Sequence, residues 1–195
     1  MDAFFTLSVI RDEHKKLTAI IQSMAYLARD SVDRGVALDD KLLTMILDYI
    51  EAFPNRVHHP KEDEYLFRVL RSRRREAGEV LDALEAEHAR GSELVGNLRD
   101  LLARCRVGGA AAVEAFAAAV AEYADFYEKH MRKEEDVVMP LAERTVTAAD
   151  WQAVEDALRA NDDLLLGAEE FQKLFQLIMR FAPPPVVRLL ASVSL

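Results

Sequence analysis

Residues 58–63, with the sequence HHPKED, share a pattern with residues 130–135, HMRKEE, which lie 72 positions further along the chain. The dipeptide Glu-His at residues 13–14 also returns, at residues 87–88, after 74 positions. Because the two offsets are nearly equal, the repeat spans a pair of structural elements and not only two short strings. We therefore predict an internal duplication of a two-helix unit.

Apolar residues recur at steps of three and four along most of the chain, which is the spacing of one face of a helix. The chain has only 7 Gly and 6 Pro, and 51% of its 195 residues are hydrophobic, a composition that favours helices over strands. We predict an all-α fold, an antiparallel up-down four-helix bundle. Its helices span about residues 5–30, 42–70, 79–105 and 110–144, with a kink or restart at Pro54 and Pro60.

The chain divides into residues 1–146, the bundle, and residues 147–195, a C-terminal helical extension. Thr147 has the character of an N-cap, and the prolines at 183–185 stop the extension near Phe181. We expect a frayed tail beyond them. Its apolar residues are available to pack against another subunit.

Composition and charge exclude several classes of function. The formal net charge is −9, whereas a nucleic-acid partner needs a basic face. A single cysteine, Cys105, excludes an internal disulfide and is typical of a reducing compartment. The N-terminal residues lack a basic region and an apolar run of membrane-spanning length. We predict a cytoplasmic protein without a membrane span or a nucleic-acid partner.

The repeat concentrates residues that bind metals. Four of the five histidines belong to it, and two of these are followed four residues later by a glutamate. That spacing places both side chains on one helix face. The first and third helices add one histidine each, so that four imidazoles and two carboxylates converge in the core. The predicted metal ligands are His14, His58, Glu62, His88, His130 and Glu134.

This ligand set fits a pair of metal ions. Six ligands exceed the four that zinc prefers, and nitrogen and oxygen ligands without a thiolate suit iron or manganese. Two ions share the set if each takes two histidines and both glutamates bridge them, at a separation of about 3.5 to 4 Å. An oxide or hydroxide bridge balances the remaining positive charge. Buried glutamates without a cation cost several kcal/mol each, which favours metal binding.

Other residues near the repeat have alternative roles. His59 and Asp63 share the four-residue spacing, but Met131 corresponds to His59, and a thioether is a poor iron ligand. We therefore place His59 outside the ligand set, either behind the ligands or at the surface. Glu13 and Glu87 point about 100° away from the adjacent histidines, so we expect them at the surface.

Two tyrosines and one glycine complete the candidates. Tyr123 and Tyr127 precede His130 by seven and three residues on the same face, where a phenol either hydrogen-bonds a bridging carboxylate or packs in the core. Gly91 corresponds to Leu17 in the repeat. We hypothesise that Gly91 opens a path to the metals on the third-helix side, and close helix packing is the alternative.

The strings at residues 58–67 and 130–135, with the Glu-His pairs that contain His14 and His88, resemble the hemerythrin-like cation-binding (HHE) family, bacterial type. The resemblance covers about residues 5–144. It implies a four-helix bundle with a carboxylate-bridged di-iron centre. Oxygen-carrying members use five histidines divided unequally between the irons, whereas only four are suitably placed here.

The resemblance therefore implies a non-haem di-iron protein that reacts with or senses O2, peroxide or nitric oxide. The chain is similar to di-iron proteins that are linked to the repair of nitrosatively damaged iron–sulfur clusters. The resemblance therefore implies a role in a stress response. Whether such a centre is enzymatic does not follow from its ligands, because one scaffold supports several activities. An iron or O2 binding or storage module without turnover is the alternative, and a sensor needs a protein partner or a second copy of the chain.

Overall fold

A computed structural model describes the backbone of residues 4–193 and the side chains of residues 5–161 and 169–193. Within these ranges the chain forms helices and turns without any strand, which confirms the predicted all-α class. The outermost residues of the predicted bundle and extension, 1–3 and 194–195, lie outside the described residues.

Four long helical stretches come first, and their bounds agree with the predicted ones to within four residues. The first and third stretches are single helices, α1 (Phe4–Arg34) and α4 (Gly78–Cys105). The second consists of α2 (Asp40–Phe53), π1 (Pro54–His58), π2 (Lys61–Phe67) and α3 (Arg68–Arg73). The fourth consists of α5 (Gly109–Lys133), π3 (Glu134–Val138) and α6 (Met139–Thr145).

A short 3₁₀ turn and three further helices complete the chain. The 3₁₀ turn, Arg75–Ala77, connects α3 to α4. The extension consists of α7 (Ala148–Arg159), α8 (Asp162–Phe181) and α9 (Pro184–Ala191). None of the described helices combines the length and the apolar character that a membrane-spanning segment needs.

Local sequence signals set several of these helix ends. Gly35, the first residue after α1, has a φ of +65°, a left-handed conformation that glycine adopts without strain, and it ends that helix. Asp39 then caps α2 by accepting the Leu42 N–H at 3.0 Å. The predicted N-cap at Thr147 is confirmed as a capping box, in which Thr147 and Asp150 each accept the other's backbone N–H.

The two prolines in the second stretch do not end it. Pro54 and Pro60 lie where the helix widens into π1 and π2, with the His59 N–H donating to the Pro54 carbonyl five residues back. The same widening occurs at π3, next to the second His-x3-Glu pair. Single π turns inside α-helices frequently mark functional sites, because they redirect the side chains that follow.

The four stretches contact one another as a helical bundle: α1 contacts α2 and α5, and α4 contacts the same two helices. The buried apolar residues form two separate clusters, one at each end of the bundle. On α1, for example, Ile10 belongs to one cluster and Leu17 to the other, with His14 between them. A polar layer therefore divides the core.

The C-terminal extension folds back onto this bundle. Helix α8 contacts α2, and α9 contacts α1. Val186 and Leu190 on α9 are fully buried in the larger cluster of the same chain. The predicted frayed tail is therefore wrong for residues 184–191, because Pro184 begins a new helix. Val187 and Leu189 are only half-buried, so packing of this helix against another subunit stays a prediction.

Gly91 lies buried where α4 meets α5. A Cβ atom at this position would lie 3.5 Å from Cε2 of Tyr127 and 3.7 Å from Cε1 of Phe126, both ordinary contact distances. Gly91 also lines neither of the two clefts described below. These contacts favour close helix packing over a path to the metals.

Replacing Gly91 tests this packing. Gly91→Ala removes the helix-propensity penalty of glycine without a clash, so the free energy of unfolding should rise by up to about 1 kcal/mol. Gly91→Leu introduces a side chain for which the contact between α4 and α5 has no room, so the free energy of unfolding should fall by about 1 to 3 kcal/mol. Urea unfolding measures both. Gly96→Leu is the matched control, because no atom lies within 4 Å of a Cβ there. Equal effects of Leu at the two positions would contradict the packing account.

Candidate metal centre

The polar layer contains all six predicted ligands, and none of these side chains belongs to a residue more than 8% exposed. Four helical stretches contribute: α1 and α4 each give one histidine, and the second and fourth stretches each give a histidine and a glutamate beside a π segment. The residues are His14, His58, Glu62, His88, His130 and Glu134.

Glu62 directs its two oxygens to different histidines. Its Oε1 lies 3.5 Å from Nε2 of His14 and 3.6 Å from Nε2 of His58. Its Oε2 lies 3.6 Å from Nε2 of His88, on the other side. The two oxygens of Glu62 thus face histidines on opposite sides of the carboxylate.

Glu134 repeats the arrangement from the other half of the chain. Its Oε2 lies 3.2 Å from Nε2 of His14, whereas its Oε1 lies 3.5 Å from Nε2 of His88 and 3.3 Å from Nε2 of His130. The two glutamates thus separate the four histidines into two pairs, His14 with His58 and His88 with His130.

Many of the atoms that face the centre of the layer have no hydrogen-bond partner. They include Nε2 of His14 and of His88, Oε2 of Glu62 and both carboxylate oxygens of Glu134. Buried polar atoms are almost always satisfied, so an unsatisfied group of this size needs an explanation. Bound metal cations would satisfy all of them together, because every one of these atoms can act as a metal ligand.

Each of the four histidines forms a hydrogen bond through Nδ1, the ring nitrogen that points away from the centre of the layer, to a carboxylate. Since an ionised carboxylate only accepts hydrogen bonds, each Nδ1 carries a hydrogen, and Nε2 is the nitrogen that would bind a metal once it has lost any proton of its own. The pairs are His14 with Glu135 at 2.8 Å, His58 with Glu13 at 3.0 Å, His88 with Asp63 at 3.2 Å and His130 with Glu87 at 3.0 Å.

Two of these carboxylates are also held by lysines. Lys61 Nζ donates to Glu13, and Lys133 Nζ donates to Glu87, at positions that correspond in the repeat. Burial alone would raise the pKa of Glu13, but His58 and Lys61 lower it below its ordinary value. Glu13 therefore remains an acceptor.

The predicted surface position of Glu13 is wrong, because this residue is only 8% exposed. Glu87 is half-buried and has the same role in the other half. The rotation of about 100° per residue does turn Glu13 away from His14, but it turns the carboxylate toward His58 on the neighbouring stretch. The repeated Glu-His dipeptide was the sequence signal for this role.

Glu13→Gln tests the contribution of the outer carboxylates. The substitution keeps the size of the side chain and removes the charge that supports His58, so ferrous-ion affinity should fall by about 10- to 100-fold. Competition with a chelator under anaerobic conditions measures it. Asp12→Asn is the control, because Asp12 is exposed and pairs with Lys15 on the same helix. Equal affinities for the two variants would contradict the assigned role.

Without a metal, the carboxylates attract protons to the histidines. Burial alone would lower the pKa of His14, but Glu134, Glu135 and Glu62 raise it well above its ordinary value. Burial likewise opposes protonation of His88, and neighbouring carboxylates nevertheless raise its pKa to about 10. Imidazolium charge thus takes the place of metal charge.

Metal binding to the metal-free protein should release these protons. A pH of 7.5 lies below the pKa of His88, which is about 10, so His88 is protonated, and the raised pKa of His14 acts in the same direction. Metal binding should therefore release at least about one proton per chain and weaken as the pH falls. Titration calorimetry in buffers of different ionisation enthalpy measures the release. A binding heat that is independent of the buffer would show that the histidines are neutral beforehand.

His59 does not lie at the surface, since it is only 6% exposed. Its ring stacks on that of His88, with centroids 3.7 Å apart and an interplanar angle of 10°. Among the described residues, ligand atoms that lie within 4.8 Å of one another fall into two groups. One contains His14, His58, Glu62 and Glu134, and the other contains His59, His88 and His130.

The two tyrosines on the ligand face are buried. The Tyr127 hydroxyl lies 3.5 Å from Nε2 of His59 and does not contact a bridging glutamate. The rings of Tyr123 and Tyr127 pack together, with centroids 5.1 Å apart. Both observations favour the packing alternative for these residues, and Tyr127 additionally touches His59.

Two clefts lead from the surface to the polar layer, one on each side of the repeat. The cleft beside α1 has a volume of about 320 Å³ and reaches His14, and the cleft beside α4 has a volume of about 230 Å³ and reaches His88. Residues of α9 and of the turn after it line the cleft beside α1 and not the cleft beside α4. A small molecule can therefore approach the layer from either side.

A buried layer of histidines and carboxylates across a helical bundle defines the class of metal-binding helical proteins. A family model described as the hemerythrin HHE cation binding domain matches residues 6–142 of the chain. The chain therefore belongs to this family, which confirms the resemblance predicted from the sequence. No curated protein and no solved structure matches the chain. The family match ends within α6, so the extension lies outside it.

Proposed function

We propose that this chain is a non-haem di-iron protein in which six side chains hold two iron ions. The observation that carries the proposal is the position of the two glutamates, each of which turns one oxygen toward each pair of histidines. The proposed ligands are His14, His58, His88 and His130 as terminal ligands and Glu62 and Glu134 as bridges.

The antiparallel up-down four-helix arrangement and the two-helix duplication are part of the proposal. Equivalent residues of the two halves make equivalent contacts, which supports it: Lys61 and Lys133 hold Glu13 and Glu87, and each of these holds a histidine. Each half then supplies two histidines and one bridging carboxylate.

Iron held by these residues would supply redox chemistry toward O2, peroxide or nitric oxide that the side chains alone do not supply. The residues of this chain fix the protonation of each histidine through a carboxylate and keep bulk water away from the glutamates. The clefts that reach His14 and His88 have volumes of about 320 and 230 Å³, which is room for a molecule of two or a few atoms. We therefore propose that this protein reacts with or senses such a molecule.

Iron reconstitution tests the proposed centre. Metal-free protein given ferrous ion under anaerobic conditions should bind about two irons per chain, as in two-metal sites generally, and should absorb in the near ultraviolet after exposure to air. Glu62→Ala should retain at most one iron, because it removes an oxygen from each position. Glu64→Ala is the matched control, since Glu64 is exposed on the same π2 segment.

Folding of each variant is checked by circular dichroism. Protein that binds no iron, or a Glu62→Ala variant that binds as much iron as the parent, would overturn the ligand assignment. Elemental analysis of protein from cells then distinguishes iron from manganese, which the same ligands also suit.

Repeated addition of oxidant distinguishes the two candidate roles. A protein that reacts should consume peroxide or nitric oxide through many cycles when a reductant is supplied. A binding or storage module without turnover should take up one equivalent and release it when the ligand is removed. We also propose a cytoplasmic location, because the single cysteine, Cys105, is typical of a reducing compartment.

A further inference from the structure

We infer that the cleft beside α4 is the route by which divalent metal cations enter the polar layer. The inference rests on the proposed di-iron centre and concerns how that centre is filled. The cleft has a volume of about 230 Å³ and reaches His88, whose Nδ1 donates to Asp63. The side chains that contact a passing cation are those of Asp63, Glu64 and His59, all of which line the cleft.

The burial of the polar layer makes an entry route necessary. None of the six predicted ligand residues is more than 8% exposed, so a metal ion cannot reach them directly from bulk water. A divalent cation gives up hydration water as it moves inward, and this loss is costly unless oxygen or nitrogen atoms of the protein replace the water. A route for cations should therefore offer carboxylates and lack fixed positive charge.

The cleft beside α4 meets both requirements. Its wall contains the carboxylates of Asp63 and Glu64, and the described residues that line it include no lysine or arginine. Glu64 is exposed and has no ion-pair partner in the described part of the chain. Oδ1 of Asp63 is buried and has no hydrogen-bond partner. One carboxylate is thus available at the surface and a second one deeper in the cleft.

His59 adds a nitrogen donor to the same wall. It is only 6% exposed, and its hydrogen-bond contact is the Tyr127 hydroxyl, 3.5 Å from Nε2, the outer limit of such a bond. The rings of His59 and His88 are stacked in parallel, with centroids 3.7 Å apart, so their in-plane lone pairs do not converge on one ion. His59 therefore lies outside the proposed di-iron ligands and is available to an ion in the cleft.

The three side chains form a path and not a closed site. Among the described residues, the groups whose ligand atoms lie within 4.8 Å of one another do not unite His59 with Asp63 or Glu64. A cation would therefore contact them one after another and be released inward. This is what transfer to the polar layer needs, because a tight site in the cleft would retain the ion.

The repeat provides an internal comparison, because the cleft beside α1 lies at the equivalent place in the other half. Lys15 and Arg132 line that cleft. Offsets of 74 and 72 residues place Ala89 and Pro60 at the corresponding positions beside α4. Two cationic side chains of one cleft thus correspond to two uncharged residues of the other.

The two clefts therefore differ in charge. Beside α1, the carboxylates of Glu128 and Glu135 are matched by two cations, whereas the two carboxylates beside α4 have none. Met131 also takes the place of His59 in the cleft beside α1. A cleft of one charge sign concentrates ions of the opposite sign and raises their rate of entry. Cations should consequently enter beside α4.

Metal uptake by the metal-free protein tests this route. Cobalt(II) is the probe, because it has the charge of ferrous ion and its absorption changes when histidines bind it. In Glu64→Lys, a positive charge replaces one of the two carboxylates, so the initial uptake rate at low ionic strength should fall by at least about tenfold. Asp136→Lys is the matched control, since Asp136 corresponds to Glu64 in the repeat, is also exposed and lines neither cleft.

The final cobalt content distinguishes this inference from the proposed function. Both variants should bind as many ions as the parent, because neither substitution alters a proposed ligand. Equal initial rates in Glu64→Lys and Asp136→Lys would overturn the entry route and leave the di-iron proposal intact. A parent protein that binds fewer than two ions would instead overturn the proposed function itself.

Ala89→Lys provides a second variant, because it gives this cleft the cation that Lys15 gives the other one. It should slow cobalt uptake to a similar extent. Ala83→Lys is its control, since Ala83 is exposed on a different face of the same helix and does not line the cleft. Equal uptake rates in these two variants would also contradict the entry route.

Paramagnetic broadening locates the cation directly. Protein whose polar layer is filled with zinc is titrated with manganese(II), which binds such ligands more weakly than zinc and does not displace it. Backbone amide signals of residues 63–64 and 88–89 should broaden at lower manganese concentrations than those of residues 14–15 and 131–132. Equal broadening beside the two clefts would overturn the inference even if the uptake rates differ.

Discussion

Two ionisable carboxylates buried at the centre of a helical bundle are the constraint on which this structure depends. Glu62 and Glu134 are each 1% exposed, and an unpaired buried carboxylate costs several kcal/mol. Four histidines surround them, and a carboxylate behind each histidine directs its lone pair inward. Lys61 and Lys133 balance two of these outer carboxylates in turn. Negative and positive side chains therefore alternate outward from the centre, and the proposed metal ions would supply the positive charge at its middle.

This polar layer also shapes the hydrophobic core. Apolar clusters lie on both sides of it, so each long helical stretch must pass from one cluster through the layer into the other. Length and alignment of the helices are thus coupled to the site. The π2 and π3 segments lie where the layer is crossed, and they allow a histidine and a glutamate from one stretch to face the same centre.

The two halves of the molecule are similar at the ligands and different around them. His59 stacks on His88 in one half, whereas Met131 borders a cleft beside His14 in the other. Helix α9 packs against α1 and lines the cleft beside His14, but it does not line the cleft beside His88. The two sides of the polar layer therefore differ in what borders them, although the candidate ligands themselves are arranged alike.

The sequence by itself determined the helices, their approximate bounds, the family and the six candidate ligands. These depend on spacing within one helix, where a step of four residues fixes a common face. Only the tertiary structure decided that Glu13 supports His58, that His59 lies beside His88, and that α9 covers α1. Adjacent residues point about 100° apart on a helix, so a residue beside a ligand faces a different neighbour. Which neighbour it meets depends on packing between segments that are distant in sequence.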